Sequence, residues 1–327
     1  MTESNCNREN INDQIDYTVE TPRFSVLNAE SLSKGIDYLH EHGYAVISDI
    51  MNEDEIKQNK DLLWKFIDRY SNGSIQRNNP ETWSNNWPQY STHGVIKGHG
   101  IGQSELLWNV RSNRLIKKVF ARIWNTRQLL TSFDGCCTFR DWRVNSSWKT
   151  NGGWNHVDQN PKTKPDKCCI QGLVSLYDQN EKTGSLVVYP NTHLQFNELT
   201  NVVKNSKDFV MIRDHYSIMN NGKTRGKLVH CKAGDLILWD SRTVHCNSPA
   251  VAIDERKQDE PVDLLRIVCY VSMSPIQFIR NHTLEEFRQK RKDFVENNIT
   301  TSHWGTELEI AGIRFLFLCF LYSIICF

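Results

Sequence analysis

From Leu129 onward the chain is a succession of short β-rich runs separated by turn residues, and no other feature restricts its fold as much. The runs lie near 131–140, 143–149, 153–158, 168–177, 185–189, 227–231, 235–240, 243–247 and 265–273. Their β-branched, aliphatic and aromatic residues suit a pleated, half-buried surface, and Gly184 and the Ala233-Gly234-Asp235 turn divide some of them. Many short strands spaced by turns predict a sandwich or barrel. The residues before Leu129 read differently. Leu32, Ile36 and Leu39 share one side of a helix predicted over Ala29–His42, with Gly43 as its stop, and Tyr44–Ser48 reads as a strand. Asn52-x-x-Glu55 has the form of a capping box, and Ile56, Leu63, Ile67 and Tyr70 make the apolar stripe of the helix behind it. Ser112 is expected to cap a third helix with Leu115, Val119 and Ile123 facing inward. Thr283-x-x-Glu286 opens a last one, to about Asn297. Helices followed by strands predict an α+β protein with a β-core.

The bulk properties exclude several classes. With 327 residues and a net charge of +1, the chain has no clustered basic face that would capture nucleic acid. Ten cysteines in this length are too dilute for a disulfide scaffold. The adjacent pairs Cys136-Cys137 and Cys168-Cys169 would face opposite ways on a strand and read as small core residues of a reduced compartment. The polar start shows no secretory signal, so a cytoplasmic location is expected. Residues 1–23 are polar and expected to be disordered, with one domain over 24–300 and a tail over 301–327. Ile310 to Phe327 is almost wholly apolar apart from Arg314, at the short limit for crossing a bilayer. It reads either as a tail anchor or as a segment of no membrane role.

Within the β-rich part, Trp154-Asn-His-Val-Asp-Gln159 places His156 and Asp158 two residues apart. Residues i and i+2 of a strand point to one face, so a short strand can aim an imidazole and a carboxylate at a common point. His245, far downstream in Val244-His-Cys-Asn-Ser248, offers a third ligand. Two histidines and one carboxylate that leave coordination positions open suit non-haem Fe(II) oxygenases.

The strand-rich part also carries an ordered set of motifs. His156-Val-Asp158 is followed by Gln171-Gly-Leu-Val-Ser-Leu-Tyr-Asp178, Gly184-Ser-Leu-Val-Val-Tyr-Pro-Asn-Thr-His193, Gly234-Asp-Leu-Ile-Leu-Trp239, His245 and Arg266-Ile-Val-Cys-Tyr-Val271. Together with Gly43-Tyr-Ala-Val-Ile47 and the capped helix after it, this order resembles the phytanoyl-CoA dioxygenase family of Fe(II)/2-oxoglutarate oxygenases, over roughly residues 30–280. The resemblance implies a double-stranded β-helix, a jelly-roll, cupin-like core with N-terminal and flanking helices, and a metal at its open mouth. It implies His156, Asp158 and His245 as iron ligands, and Arg266 as the residue that holds the distal carboxylate of 2-oxoglutarate. A guanidinium fork grips a carboxylate bidentately and stays charged, which fits that role. Arg256 is nearer to His245 but sits in the charged run Asp254–Glu260, which reads as a solvated loop. The interval from His245 to Arg266 is longer than the compact family pattern.

The implied chemistry is oxidation of a small-molecule substrate with O2, 2-oxoglutarate and Fe(II), giving succinate and CO2, with ascorbate as reductant in vitro. A binding or scaffold protein of the same fold is the alternative, and the intact His156, Asp158, His245 and Arg266 speak against it. Halogenation would need the carboxylate ligand absent, and Asp158 is present. Of the other candidates, His193 reads as a turn residue, His93 and His99 as loop residues that lie at the surface or else touch substrate, and His215 and His230 as unpatterned. Arg242 would either orient the ligand shell or pair with Asp240. Trp83, Trp87 and Tyr90 would either line a pocket or tack down the loop 71–104. That loop and the insertion 191–226 are expected to shape the pocket.

Overall fold

The computed structural model describes residues 14–311, apart from 90, 91, 206 and 258. Eight core strands follow in chain order: β1 (Cys136–Phe139), β2 (His156–Val157), β3 (Ile170–Ser175), β4 (Ser185–Val188), β5 (Gly226–Leu228), β6 (Leu236–Asp240), β7 (His245–Ser248) and β8 (Arg266–Pro275). They form two sheets, ordered β1-β8-β3-β6 and β2-β7-β4-β5, with antiparallel pairing throughout. Consecutive strands cross from sheet to sheet except at the β4–β5 pair. This is the predicted double-stranded β-helix. Strands at 23–25, 44–48, 95–96 and 129–131 widen the first sheet, and strands at 15–16 and 210–211 widen the second.

The strict two-residue period of the strands sorts their side chains between two environments. Ile237 and Trp239 of β6, Val268 of β8, Leu173 of β3 and Leu186 and Val188 of β4 meet inside the barrel. Their neighbours Leu236, Leu238, Ile267, Cys269 and Val271 face outward, onto the helices. On the other sheet Val157, Val187 and Cys246 face Phe196, Leu199, Ile218 and Met219 of the 192–222 insertion. Cys136 and Cys137 fall in the outer and inner clusters respectively, as adjacent strand residues must. The described cysteines are unpaired.

The helices α1 (Ala29–His42), α2 (Glu53–Ser71), α3 (Glu105–Ser112), α4 (Arg114–Trp124) and α5 (Leu284–Glu296) start where the sequence offers caps. Asn52 and Glu55 form a reciprocal capping box on α2, and Thr283 and Glu286 do so on α5. Helix α1 ends at Gly43, whose φ of 80° is the left-handed conformation that a side chain disfavours. A Cβ there would stand 2.4 Å from Thr243 Oγ1 and 2.6 Å from His193 Nδ1. Gly43→Ala is therefore expected to lower stability by at least about 2 kcal/mol, a left-handed penalty plus a clash, read as a drop in the urea midpoint.

Several expectations are corrected. The run 143–149 is a turn with a 3-10 segment at Ser146–Trp148, because Asp141 Oδ1 accepts from Arg143 N–H and Asn145 Oδ1 from Ser147 N–H. Such local bonds compete with a ladder. The run 131–140 is split into strands at 129–131 and 136–139. The third helix is capped by Asn113 rather than Ser112, and an unforeseen helix, α3, precedes it behind the Ser104 cap. The expectation of disorder over 1–23 does not hold for residues 14–23, where Ile15 is buried and Ile15–Asp16 pairs parallel with β5, and residues 1–13 lie outside the described residues. Trp83 and Trp87 are buried against Trp64, with Trp83 stacked on Trp148, and so tack down their loop. Tyr90 and the tail beyond Ala311 lie outside the described residues. No helix among the described residues is long and apolar enough to cross a membrane.

Candidate metal centre and cosubstrate pocket

His245 on β7 stands directly across the ladder from His156 on β2, and the ring centroids are 4.3 Å apart. Asp158 follows β2 by one residue, its backbone N–H held by the Ser241 carbonyl at 3.0 Å. Its Oδ1 lies 3.4 Å from His156 Nε2 and its Oδ2 lies 3.2 Å from His245 Nε2. All three ligand atoms fall within 4.8 Å of one another. Cis donors about 2.1 Å from a transition ion stand about 3 Å apart, so this set fits a single ion with little movement.

The ring orientations follow from the backbone. His156 Nδ1 lies 3.0 Å from the Trp154 carbonyl and His245 Nδ1 lies 2.9 Å from the Thr243 carbonyl. A carbonyl can only accept, so each Nδ1 carries the proton and each Nε2 presents a lone pair to the centre. The Thr243 hydroxyl in turn donates to the Gly43 carbonyl, which ties the His245 side of the centre to the end of α1. Burial alone would raise the Asp158 carboxyl, but the surrounding imidazoles of His156, His303 and His245 outweigh it and hold the group well below the usual carboxylate range. Burial, and then His245, hold His156 below the ordinary imidazole value. An ionised carboxylate and neutral imidazoles are the forms that bind a metal cation.

Gln171 on β3 donates to Asp158 Oδ2 at 2.6 Å. Sequence reading noted Gln171 only as part of a motif and gave it no role. Groups that orient metal ligands typically account for about 10- to 100-fold in metal affinity. Gln171→Ala is expected to weaken Fe(II) binding by that amount, measured by competition with a chelator under anaerobic conditions.

The centre opens on a cavity of about 100 Å³. Its apolar wall includes Trp154, Phe209 and Trp239, and its polar lining includes Lys97, Asp134, Asn247, Tyr270 and His303. Trp154 stacks on His156 at 4.6 Å between centroids, and Phe209 covers the same ring at 4.4 Å. Phe209 has φ of 64°, a backbone conformation rare for a bulky residue.

Arg266, at the start of β8, points into the barrel with Val268 and Tyr270, on the alternate face from Ile267 and Cys269. It is fully buried. Its Nε donates to Gln179 Oε1 at 2.7 Å, Nη1 reaches Cys137 Sγ at 3.5 Å, and Nη2 has no partner. Among the described residues no carboxylate pairs with it. A buried guanidinium with a free N–H edge and no counter-ion is what an incoming carboxylate would satisfy. Arg256 instead donates to the Glu260 carbonyl within its own loop.

The remaining candidates fall outside the centre. His193 Nε2 donates to the His40 carbonyl at 2.9 Å and fixes the turn as expected. Arg242 forms a two-point pair with Asp240, at 2.9 and 2.8 Å. His93 packs on Trp154 at 4.4 Å, and His99 is exposed beside Tyr70. His215 is exposed, and His230 Nε2 donates to the Tyr17 carbonyl at 2.8 Å.

A jelly-roll barrel with two histidines and a carboxylate converging at one cavity defines a class, the non-haem iron oxygenases that use 2-oxoglutarate. The chain belongs to the phytanoyl-CoA dioxygenase family, whose model matches residues 39–251. It is 23% identical over 283 residues to the Ava biosynthesis cluster protein O of Aspergillus versicolor, covering 83% of this chain and 87% of that one. A Dictyostelium discoideum protein provisionally named a phytanoyl-CoA dioxygenase is 21% identical over 300 residues, 80% of this chain and 81% of that one. The fold is similar to that of the non-haem α-ketoglutarate-dependent carbocyclase SnoK from nogalamycin biosynthesis. That match has a TM-score of 0.53 and 16% identity, over 79% of this chain and 89% of that one.

Proposed function

We propose that the protein is an Fe(II)- and 2-oxoglutarate-dependent dioxygenase that hydroxylates a small organic molecule. His156, Asp158 and His245 would hold the iron, and Arg266 the far carboxylate of 2-oxoglutarate. The observation that carries this reading is the pairing of a one-ion donor set with a buried, anion-less arginine in the same barrel. When bound, iron with O2 and 2-oxoglutarate supplies the oxidising power for a C–H bond, and the cosubstrate leaves as succinate and CO2.

The chain's own residues supply position and exclusion of water. The Trp154 and Thr243 carbonyls fix both imidazole tautomers, and Gln171 restrains the carboxylate. Gln179 locks the Arg266 guanidinium so that its remaining edge is free. The rings of Trp154, Phe209 and Trp239 line the cavity and would help to exclude water once substrate fills it. The biosynthetic name of the Aspergillus versicolor relative supports a small-molecule substrate in preference to a macromolecule. The test is succinate formation from 2-oxoglutarate with Fe(II) and ascorbate, screened over a metabolite panel, with product mass reporting oxygen insertion. Substrate-dependent succinate with a product one oxygen heavier is expected. A product lighter by two hydrogens would replace hydroxylation by a desaturation or ring closure, and one of unchanged mass by an isomerisation, at the same centre.

A further inference from the structure

Beyond the metal ligands, the cavity receives one residue from the far end of the described chain. Residues 300–307 follow α5 and lie outside the range matched by the family model. They are pinned over the start of β1. Thr301 and Phe133 exchange two hydrogen bonds, Thr301 N–H to the Phe133 carbonyl at 2.9 Å and Phe133 N–H to Thr301 Oγ1 at 3.0 Å. Thr300 Oγ1 accepts from Gly102 N–H at 3.0 Å. Further along, Lys164 binds Glu307 at 3.0 Å and Asp208 at 2.5 Å, with its ammonium 4.3 Å from the centre of the Trp304 ring. That ammonium bridges the carboxylates of Asp208 and Glu307 and so clasps the segment to the insertion.

The segment so fixed puts His303 into the cavity wall beside His156, Asp158 and His245. His303 Nε2 is buried and has no hydrogen-bond partner. An unpaired buried ring nitrogen costs free energy unless something arriving later satisfies it. The carboxylate that Arg266 would hold is badly placed to do so. Arg266 pairs with Phe139 at one end of β1, whereas Thr301, two residues before His303, is bonded to Phe133, just before the other end. Tyr270 bonds the Gly135 carbonyl at that second end. Four residues of β8 separate Arg266 from Tyr270, about 13 Å of strand. His303 thus enters the cavity beside the metal ligands, toward the end of β1 opposite to the arginine.

We propose that His303 is the substrate-orienting residue, with Nε2 hydrogen-bonding an oxygen atom, carbonyl or hydroxyl, carried by the molecule to be oxidised. This rests on the oxygenase reading above and narrows it to oxygen-bearing substrates. The side chain would act by recognition, so its loss should spare iron and 2-oxoglutarate.

The test uses the full chain loaded anaerobically with Fe(II) and 2-oxoglutarate, and two probes of matched shape, cyclopentanone and methylenecyclopentane. Each is titrated against the iron–2-oxoglutarate charge-transfer band. The wild type is expected to bind the ketone roughly tenfold more tightly than the hydrocarbon, the scale of one hydrogen bond to a buried group. His303→Phe should remove that preference while the band itself forms normally. His303→Gln, which keeps an N–H group at similar reach, should restore part of it and guards against a merely structural effect. A normal band with no preference in the wild type, or a preference that persists in His303→Phe, overturns the proposal. Absence of the band in the wild type removes the oxygenase reading and this inference with it.

Discussion

His245→Ala is expected to weaken Fe(II) binding more than about a hundredfold, beyond the loss typical of a group that only orients a ligand. His156→Ala and Asp158→Ala should do the same. The three side chains meet at one point from two paired strands, and two of three ligands leave an ion under-coordinated. Their removal should not unfold the barrel. The imidazoles and the carboxylate line a cavity and hold no layer of the apolar core. Equilibrium dialysis under anaerobic conditions measures the first effect, and a thermal melt checks the second. Iron affinity like that of the wild type in any one variant would remove that residue from the centre.

Arg266→Ala is the second large effect, and it separates cosubstrate binding from metal binding. The guanidinium is fully buried, satisfied on one edge by Gln179 and unpaired at Nη2. Removing one partner of a buried ion pair typically costs about 3–5 kcal/mol, because the other charge is left desolvated. At 1.4 kcal/mol per tenfold, that is on the order of 10²- to 10³-fold or more in 2-oxoglutarate affinity. The variant should still bind one iron. Arg256→Ala should behave like the wild type, because that side chain bonds a carbonyl of its own loop. A large loss in Arg256→Ala with none in Arg266→Ala would assign the cosubstrate to the loop instead.

Much of the fold could be read from the sequence because the strand period is short and the breaks are marked. Gly184 and Gly234 adopt φ of 81° and 88°, the conformation that makes glycine a reliable punctuation mark. The capping boxes of α2 and α5 are visible as four-residue patterns. Helix α3 escaped because eight residues give too few turns for a period, although Ser104 before Glu105 is a cap signal. The run 143–149 looked like a strand because Val144 and Trp148 are good strand formers. The side chains of Asp141 and Asn145 capture the backbone there instead.

The proposed ligands were legible for a different reason. A His-x-Asp pair and a later histidine need only be placed on neighbouring strands, and the ladder between β2 and β7 does that. The rest of the cavity wall carried no such pattern. Lys97 follows a two-residue strand, Asp134 precedes β1, and His303 comes after the last helix. They are brought together by sheet order and by hydrogen bonds such as those of Thr301, which no local spacing announces.

The most direct test of the central claim is an anaerobic titration of the wild-type chain, first with Fe(II) and then with 2-oxoglutarate. One iron per chain is expected, followed by a visible charge-transfer band that saturates at one 2-oxoglutarate per iron. Iron binding at that ratio with no band on addition of 2-oxoglutarate would contradict the oxygenase reading and leave a metal-binding barrel without turnover.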